Sequence, residues 1–328
     1  MKAIAEPQVL KAAKAHGFSR CLLAWYDQHA RRLPWREDRD PYRVWVSEIM
    51  LQQTRVAAVL EHYRRFLKKF PTVRKLAAAR ESSVLAAWSG LGYYRRARML
   101  HAAAKRVVKR YQAEFPPNSE GLRQLPGIGR YTAAAIASIA YDEPVAAVDG
   151  NVERVLERMS GKRLTGEQTW NTANHLLDPA RSGDFNQAMM ELGATICLPR
   201  QPQCLLCPVS EFCAARGELE AKEARPQQRK RKIFFGLARR SGHVLLVQRD
   251  KKESLMPGMW ELPQLRSRAS AKRLLSLRHS ITVTDYQVDV MEVSTRDEGS
   301  GRWIARARLA SLPLTGLARK ILQRAELL

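Results

Sequence analysis

From about residue 8 to residue 196, apolar positions recur at helical spacing, with alanine-rich stripes and few β-branched runs. Examples are "RESSVLAAWSGLG", "RARMLHAAAKRVVKRY" and "NVERVLERMSG". Pro and Gly interrupt the pattern at short intervals, which predicts many short helices rather than a coiled coil. Between Arg216 and Lys232, "RGELEAKEARPQQRKRK" has almost no large apolar residue and reads as a linker. Beyond it the text turns to short β-rich runs, "KIFFGLARR", "HVLLVQRD" and "SITVTDYQVDV", and a last helical stretch, "LTGLARKILQRAELL", closes the chain. No internal repeat is visible. The predicted organisation is a mostly α region over residues 1–215, a linker over 216–232 and an α/β domain over 233–328.

One junction in the helical part carries more than spacing. In "LPGIGRYTA", Leu125 to Ala133, Gly127 and Gly129 precede a helix-like run. Glycines there permit positive φ and close backbone approach, and the first amides of the next helix point outward with partial positive charge. Such a nest of N–H groups suits a phosphate. Taken alone, the turn equally suits an ordinary helix–helix connection.

Charge sharpens the picture. The 328 residues carry a formal net charge of +24, from 56 Lys and Arg against 32 Asp and Glu. From Ala214 onward there are 24 basic and 12 acidic residues, leaving 32 and 20 before it, so each portion carries +12. A basic excess spread over both parts favours a polyanionic partner, nucleic acid before an anionic membrane surface or mere solubility. No apolar run reaches the roughly 18 residues of a membrane span, and the N-terminal text lacks the uninterrupted apolar stretch of a signal peptide. The expected compartment is the cytoplasm, where thiols stay reduced. That matters because four of the five cysteines, Cys197, Cys204, Cys207 and Cys213, fall within 17 positions as C-x6-C-x2-C-x5-C, with Pro199, Pro202 and Pro208 between them. Converging thiols in a reducing compartment point to a metal. Zinc normally takes two paired knuckles; one pair with irregular outer spacings fits a cubane iron–sulfur cluster better. Cys21, alone among helix residues, reads as a small hydrophobe.

The hairpin, "VDGNVERVL" about twenty residues later and the four-cysteine loop follow one another as in helix–hairpin–helix DNA glycosylases. Four further motifs narrow the match: "LPWR" (Leu33 to Arg36), "WVSEIMLQQT" (Trp45 to Thr54), "GLGYYRRAR" (Gly90 to Arg98) and "FNQAMMELGA" (Phe185 to Ala194). From about Leu22 to Cys213 the chain resembles the MutY family of adenine DNA glycosylases, which remove adenine mispaired with 8-oxoguanine or guanine. The region after Lys232 resembles that family's Nudix-like domain more loosely. The resemblance implies a helix–hairpin–helix glycosylase fold with a [4Fe–4S] cluster on the four cysteines, joined to a C-terminal α/β Nudix-like domain. It implies base excision repair on duplex DNA holding A:8-oxoguanine or A:G mispairs, by a monomer that associates with the nucleoid.

Removing adenine means protonating a poor leaving group and stabilising an oxocarbenium-like sugar, which two carboxyl groups in different environments can do. Glu48, with Val44, Trp45, Leu51 and Gln52 one helical turn away, is either a raised-pKa acid among apolar neighbours or a surface glutamate. Asp149 in "VDGN" is either a helix N-cap or the second carboxylate. The family assigns Glu48 the protonation of adenine N7 and Asp149 the sugar cation, with Asn151 holding the carboxylate or water. Where related endonuclease III carries a Schiff-base lysine, this chain has Tyr131. A phenol cannot form a Schiff base, so the residue implies a monofunctional enzyme whose phenol organises Asp149 and the sugar. Flipping the base out requires a filler for the hole, and the family uses Gln53 and Tyr93, though Tyr93 and Tyr94 equally suit a core. By the same resemblance Arg31, Leu33, Trp35, Arg36 and Val56 line the adenine pocket, Gln187 occupies a variable pocket position, Thr54 faces DNA, and Gly127 and Gly129 hold phosphate. In the C-terminal region the family's H-x-F-S-H loop aligns with His279, Ile281, Thr282 and Val283, which keeps a hydroxyl at Thr282 and loses the second histidine. "MPGMWELPQL" has no following R-E-x-x-E-E helix, so no magnesium site is expected.

Overall fold

The computed structural model describes residues 12–219, 229–253, 255–266, 272–281, 284–293 and 301–328. The chain forms two compact units that do not follow a single cut. One comprises residues 1–64, 72–74 and 102–222; the other comprises 65–71, 75–101 and 223–328. The helices in chain order are Ala12–His29 (α1), Pro41–Leu51 (α2), Val56–Lys69 (α3), Val73–Ala78 (α4), Glu81–Trp88 (α5), Tyr94–Tyr111 (α6), Ser119–Arg123 (α7), Arg130–Tyr141 (α8), Gly150–Ser160 (α9), Gly166–Leu176 (α10), Ser182–Thr195 (α11) and Gly316–Arg324 (α12).

In the first unit α8 is the centre: it packs on α2, α7 and α11, and α11 packs in turn on α1 and α9. Its sequence explains this. Ala133, Ala135, Ile136 and Ala137 have no exposure, and short side chains let neighbouring backbones approach closely. Two glycines of α11 mark the nearest approaches. A Cβ on Gly183 would stand 2.6 Å from the Ser138 carbonyl oxygen, and one on Gly193 would stand 2.6 Å from Asn151 Cβ. α7, the turn through Gly127 and α8 form the helix–hairpin–helix, with Gly127 at φ 76° and Gly129 as the extended N-cap of α8.

The second unit contains the strands Arg229–Leu237 (β1), Arg239–Arg240 (β2), His243–Gln248 (β3), Trp260–Glu261 (β4), Gln264–Leu265 (β5), Arg273–Ile281 (β6), Thr284–Glu292 (β7) and Arg302–Ala305 (β8). One sheet has the order β5-β1-β7-β6, with β1 parallel to β7 and β6 antiparallel to it. The other has the order β2-β3-β4, with β8 added to β3. Leu237, Val244, Leu246, Val288, Val290, Ile321 and Leu322 fill the core between these strands and α12. The α/β character read from the sequence is observed here. β1 nevertheless begins at Arg229, inside the stretch read as linker. Its first four residues are exposed, and backbone pairing with Thr284 to Gln287 needs no apolar side chain. The run "SITVTDYQVDV" is divided between β6 and β7, which pair from Ile281 opposite Thr284.

Candidate active site

Four elements of the first unit supply the site: α2 carries Glu48, α8 carries Tyr131, the N-terminus of α9 carries Asp149 and Asn151, and α11 carries Met190 and Glu191. Glu48 is not a surface residue; it is 7 % exposed. Its Oε2 accepts the Tyr131 hydroxyl at 2.6 Å, and that hydroxyl also lies 3.1 Å from Met190 Sδ. Burial pushes the Glu48 carboxyl up to about 7, against the Tyr131 hydrogen bond and Arg36, which favour the carboxylate, while Asp149 raises it further. Burial also drives the Tyr131 phenol well above its ordinary range, assisted by both carboxylates. In the structure the Tyr131 hydroxyl donates to Glu48.

Asp149 is the N-cap of α9. Its Oδ1 accepts from the Asn151 and Val152 amides at 2.9 and 2.8 Å, and its Oδ2 from Asn151 Nδ2 at 2.9 Å. Burial nevertheless raises its pKa, and these hydrogen bonds only oppose the rise. Oδ2 accepts one bond in this set, and a carboxylate oxygen has room for another. Cap and chemistry are compatible at one residue.

A layer of residues that the sequence patterns did not single out fixes this turn. Arg154 Nη2 donates to Asn151 Oδ1 at 2.9 Å and to the Gly193 carbonyl at 2.6 Å, while its Nε donates to the Cys197 carbonyl at 2.9 Å. One turn further on, Arg158 reaches Cys197 Sγ at 3.3 Å and the Leu198 and Pro199 carbonyls at 2.6 and 3.0 Å. The only trace in the text was an Asn–Arg–Arg face at positions 151, 154 and 158. Likewise Glu191, 1 % exposed, accepts from Arg31 Nε at 2.6 Å, Arg31 Nη2 at 3.0 Å and Arg36 Nη2 at 2.9 Å. Burial alone would raise this carboxyl, but the two guanidinium groups hold it below its ordinary value. Arg31 and Arg36 thus anchor the "LPWR" turn to α11.

Of the other expected pocket residues, Leu33 and Trp35 are buried, Trp35 edge-on to Tyr63 at 5.3 Å between ring centroids. Val56, Thr54 and Gln187 are half-buried. Gln53 is exposed with φ 56°. Gly127 and Gly129 are exposed, and a Cβ on Gly129 would meet nothing within 4 Å, so the hairpin backbone is open to an approaching group. Tyr93 belongs to the second unit, 51 % exposed with φ 47°; Tyr94 is buried. Thr282 and Val283 lie outside the described residues. His279 sits half-buried in β6 opposite Tyr286, where burial and Lys320 lower its pKa.

Cys197, Cys204, Cys207 and Cys213 line one cavity together with Arg158, Ile196, Pro202 and Ser210. All four thiols are free and half-buried. The loop closes back on the end of α9 through the Ala214 and Ala215 amides, which donate to the Met159 and Arg158 carbonyls at 3.0 Å. Among the described residues no helix is long and apolar enough to cross a membrane.

A hairpin with an open backbone, followed by a helix whose Tyr131 meets a buried carboxyl group, and a second, half-buried carboxyl group held as a helix cap define a class of protein. The model of the HhH-GPD superfamily of base excision DNA repair proteins matches residues 46–179. The fold is shared with a thermostable thymine-DNA glycosylase, 30 % identical over 62 % of this chain and 97 % of that one, TM-score 0.59. It is shared also with an endonuclease III held covalently to DNA, at TM-score 0.55 and 23 % identity over 63 % of this chain and 97 % of that one. The adenine DNA glycosylase of Mus musculus is 49 % identical over 65 % of this chain and 45 % of its own length. That of Buchnera aphidicola subsp. Schizaphis graminum is 37 % identical over 66 % of this chain and 65 % of its own. The chain belongs to the HhH-GPD superfamily of base excision DNA repair proteins, and within it is similar to the adenine DNA glycosylases. It matches less than half the length of its mammalian relatives.

Proposed function

We propose that this protein is a monofunctional DNA glycosylase that hydrolyses the N-glycosidic bond of adenine mispaired with 8-oxoguanine or guanine in duplex DNA. The observation that carries the reading is the pairing of buried Glu48 with Tyr131: an acid near neutrality whose partner is a phenol. With a pKa of about 7, Glu48 keeps a substantial protonated fraction at neutral pH and gives that proton to the departing base as general acid. Asp149, oriented by two backbone amides and Asn151, stabilises the cation left on the sugar through Oδ2, and water completes the hydrolysis. Tyr131 supplies no amine, so no Schiff base forms and the strand stays intact.

Gly127, Gly129 and the first amides of α8 receive a phosphate, and Gln53 and Tyr93 act as fillers once adenine is flipped. Arg31 and Arg36 hold the pocket wall formed by Leu33 and Trp35 through Glu191, beside Val56 and Gln187; Thr54 lies on the DNA side. The four cysteines fit a [4Fe–4S] cluster. They line one cavity, and their spacing is one close pair with irregular outer intervals. A multi-atom body that spaces its ligands suits this set better than zinc. Bound by these cysteines, a cluster would brace the loop that returns to the end of α9. The second region, residues 233–328, reads as Nudix-like and as the reader of 8-oxoguanine. Monomeric action on duplex DNA, in the cytoplasm at the nucleoid, accords with the charge of +24.

The test is a single-turnover assay on duplexes with adenine opposite 8-oxoguanine, guanine and thymine. Adenine release in that order of preference, with strands cut only after alkali, is expected. Borohydride trapping of an efficient protein–DNA adduct, or no release of adenine, would overturn the reading.

A further inference from the structure

The second unit joins stretches far apart in the chain, and the seam between them is built on buried polar groups. Ser89 and Tyr94, 4 % and 3 % exposed, both donate their hydroxyls to the carbonyl of Leu314, at 3.1 and 2.9 Å. Arg319 Nε donates to Ser89 Oγ at 2.7 Å, so the serine hydroxyl serves as donor and acceptor at once. Leu314 has no exposure and is bridged to Trp260, and the next residue, Thr315, both binds the Trp260 carbonyl and caps α12. A second tie lies one turn further along α6: Arg98 donates to the Pro257 carbonyl at 2.6 Å and to Glu81 Oε1 at 2.9 Å. Buried donors and acceptors of this kind are costly to leave unmatched.

Between Ser89 and Tyr94 runs Gly90–Leu91–Gly92–Tyr93. Its two glycines have φ 110° and 70°, and Tyr93 itself is left-handed at 47°. A non-glycine residue persists there only where its surroundings over-determine it. Inside the segment Trp88 Nε1 donates to the Gly92 carbonyl at 3.1 Å, and the Arg96 guanidinium stands 5.3 Å from the Tyr93 ring centroid and 5.6 Å from that of Trp88. On either side, the strained segment is anchored to one carbonyl of the C-terminal region.

We propose that Ser89 and Tyr94 are positioning residues through which the C-terminal region holds the Tyr93 loop in its left-handed conformation, and that selectivity for the base opposite adenine depends on this tether. The selectivity half rests on the glycosylase reading above; the tether half does not.

The experiment uses the full chain with Ser89→Ala and Tyr94→Phe combined. Amide hydrogen exchange is followed at residues 90–93, together with the single-turnover ratio for adenine opposite 8-oxoguanine over guanine. Losing three hydrogen bonds, the two to the Leu314 carbonyl and the one from Arg319, is expected to speed exchange in that loop, and to shrink the ratio, by about tenfold. Ser89→Thr, which keeps the hydroxyl, should behave as the parent. Unchanged exchange at 90–93, or acceleration spread evenly over the whole chain, overturns the tether. Accelerated loop exchange with an unchanged ratio overturns the selectivity claim. Should the parent release no adenine, the glycosylase reading falls, and the exchange comparison still decides the tether.

Discussion

Glu48 becomes an acid by where it stands. Val44 and Trp45, one turn away along α2, are apolar and buried, and the tyrosine that touches it donates a hydrogen bond, which favours the carboxylate without overcoming burial. Tyr131→Phe removes that opposing influence, so the Glu48 pKa should rise and the alkaline fall of the excision rate should move to higher pH; a fall that moves to lower pH would contradict the assignment. The same shift is a statement about stability. The folded pKa lies above the ordinary 4.5, so the folded state binds the extra proton and stability is lost as pH rises from about 4.5 through about 7. Glu48→Gln should therefore be more stable than the parent at pH 8, by on the order of 3 kcal/mol, with the difference gone by pH 4; urea unfolding at both values checks this. At this scale the sequence was informative where a residue sat inside a dense motif, as Glu48 does in "SEIMLQQT". It held Glu191, Arg154 and Met190 inside quoted motifs but gave them no role, because what selects them is contact between helices, and spacing along one helix does not encode which neighbour it meets.

Among the elements, α9 does two things at once. Its N-cap is Asp149, and the Arg154 and Arg158 side chains reach the cysteine loop, so the turn that holds the carboxylate and the loop that holds the thiols share one helix. The hairpin before α8 offers a cleaner comparison. Gly127 has φ 76° and Gly129 has φ −88°, so only the first position requires glycine. Gly127→Ala should cost roughly 1–2 kcal/mol of stability and weaken duplex binding. Gly129→Ala should leave stability within about 0.5 kcal/mol and report only on what approaches the open backbone. Thermal unfolding beside a binding titration separates the two, and equal destabilisation would refute the reading of the turn. The helical period, the hairpin and the final helix were legible because Pro, Gly and apolar spacing mark them. The start of β1 was not, since Arg229 to Lys232 is polar and paired only through its backbone. Nor was the division between β6 and β7, since β-branched residues run across it.

For the whole molecule, a surplus of 24 positive charges predicts duplex affinity that falls steeply with salt, by about 10³-fold or more between 50 and 200 mM if six or more phosphates are engaged; binding insensitive to salt would refute a phosphate-dominated interface. A cluster on the four cysteines predicts yellow-brown protein with about four iron atoms per chain, and stoichiometric zinc without iron would refute it. The two units were not legible as such. A linear reading cut the chain near residue 216, whereas residues 65–71 and 75–101 pack with the C-terminal region, and the polar seam at Ser89, Tyr94 and Leu314 leaves no pattern in the text. Truncation near Lys232 consequently removes the partners of Ser89, Tyr94 and Arg98 along with the C-terminal sheet, and point variants in the full chain are the cleaner probe. The central claim is that Glu48, protonated near neutrality, drives release of adenine. Its most direct test is the single-turnover excision rate from pH 5 to 9 on a duplex with adenine opposite 8-oxoguanine, for the parent and for Glu48→Gln. The account predicts a parent rate that falls about tenfold per pH unit above roughly 7, with no measurable excision by Glu48→Gln although it still binds the duplex. A parent rate that keeps its full value to pH 9, or near-normal excision by Glu48→Gln, would contradict it.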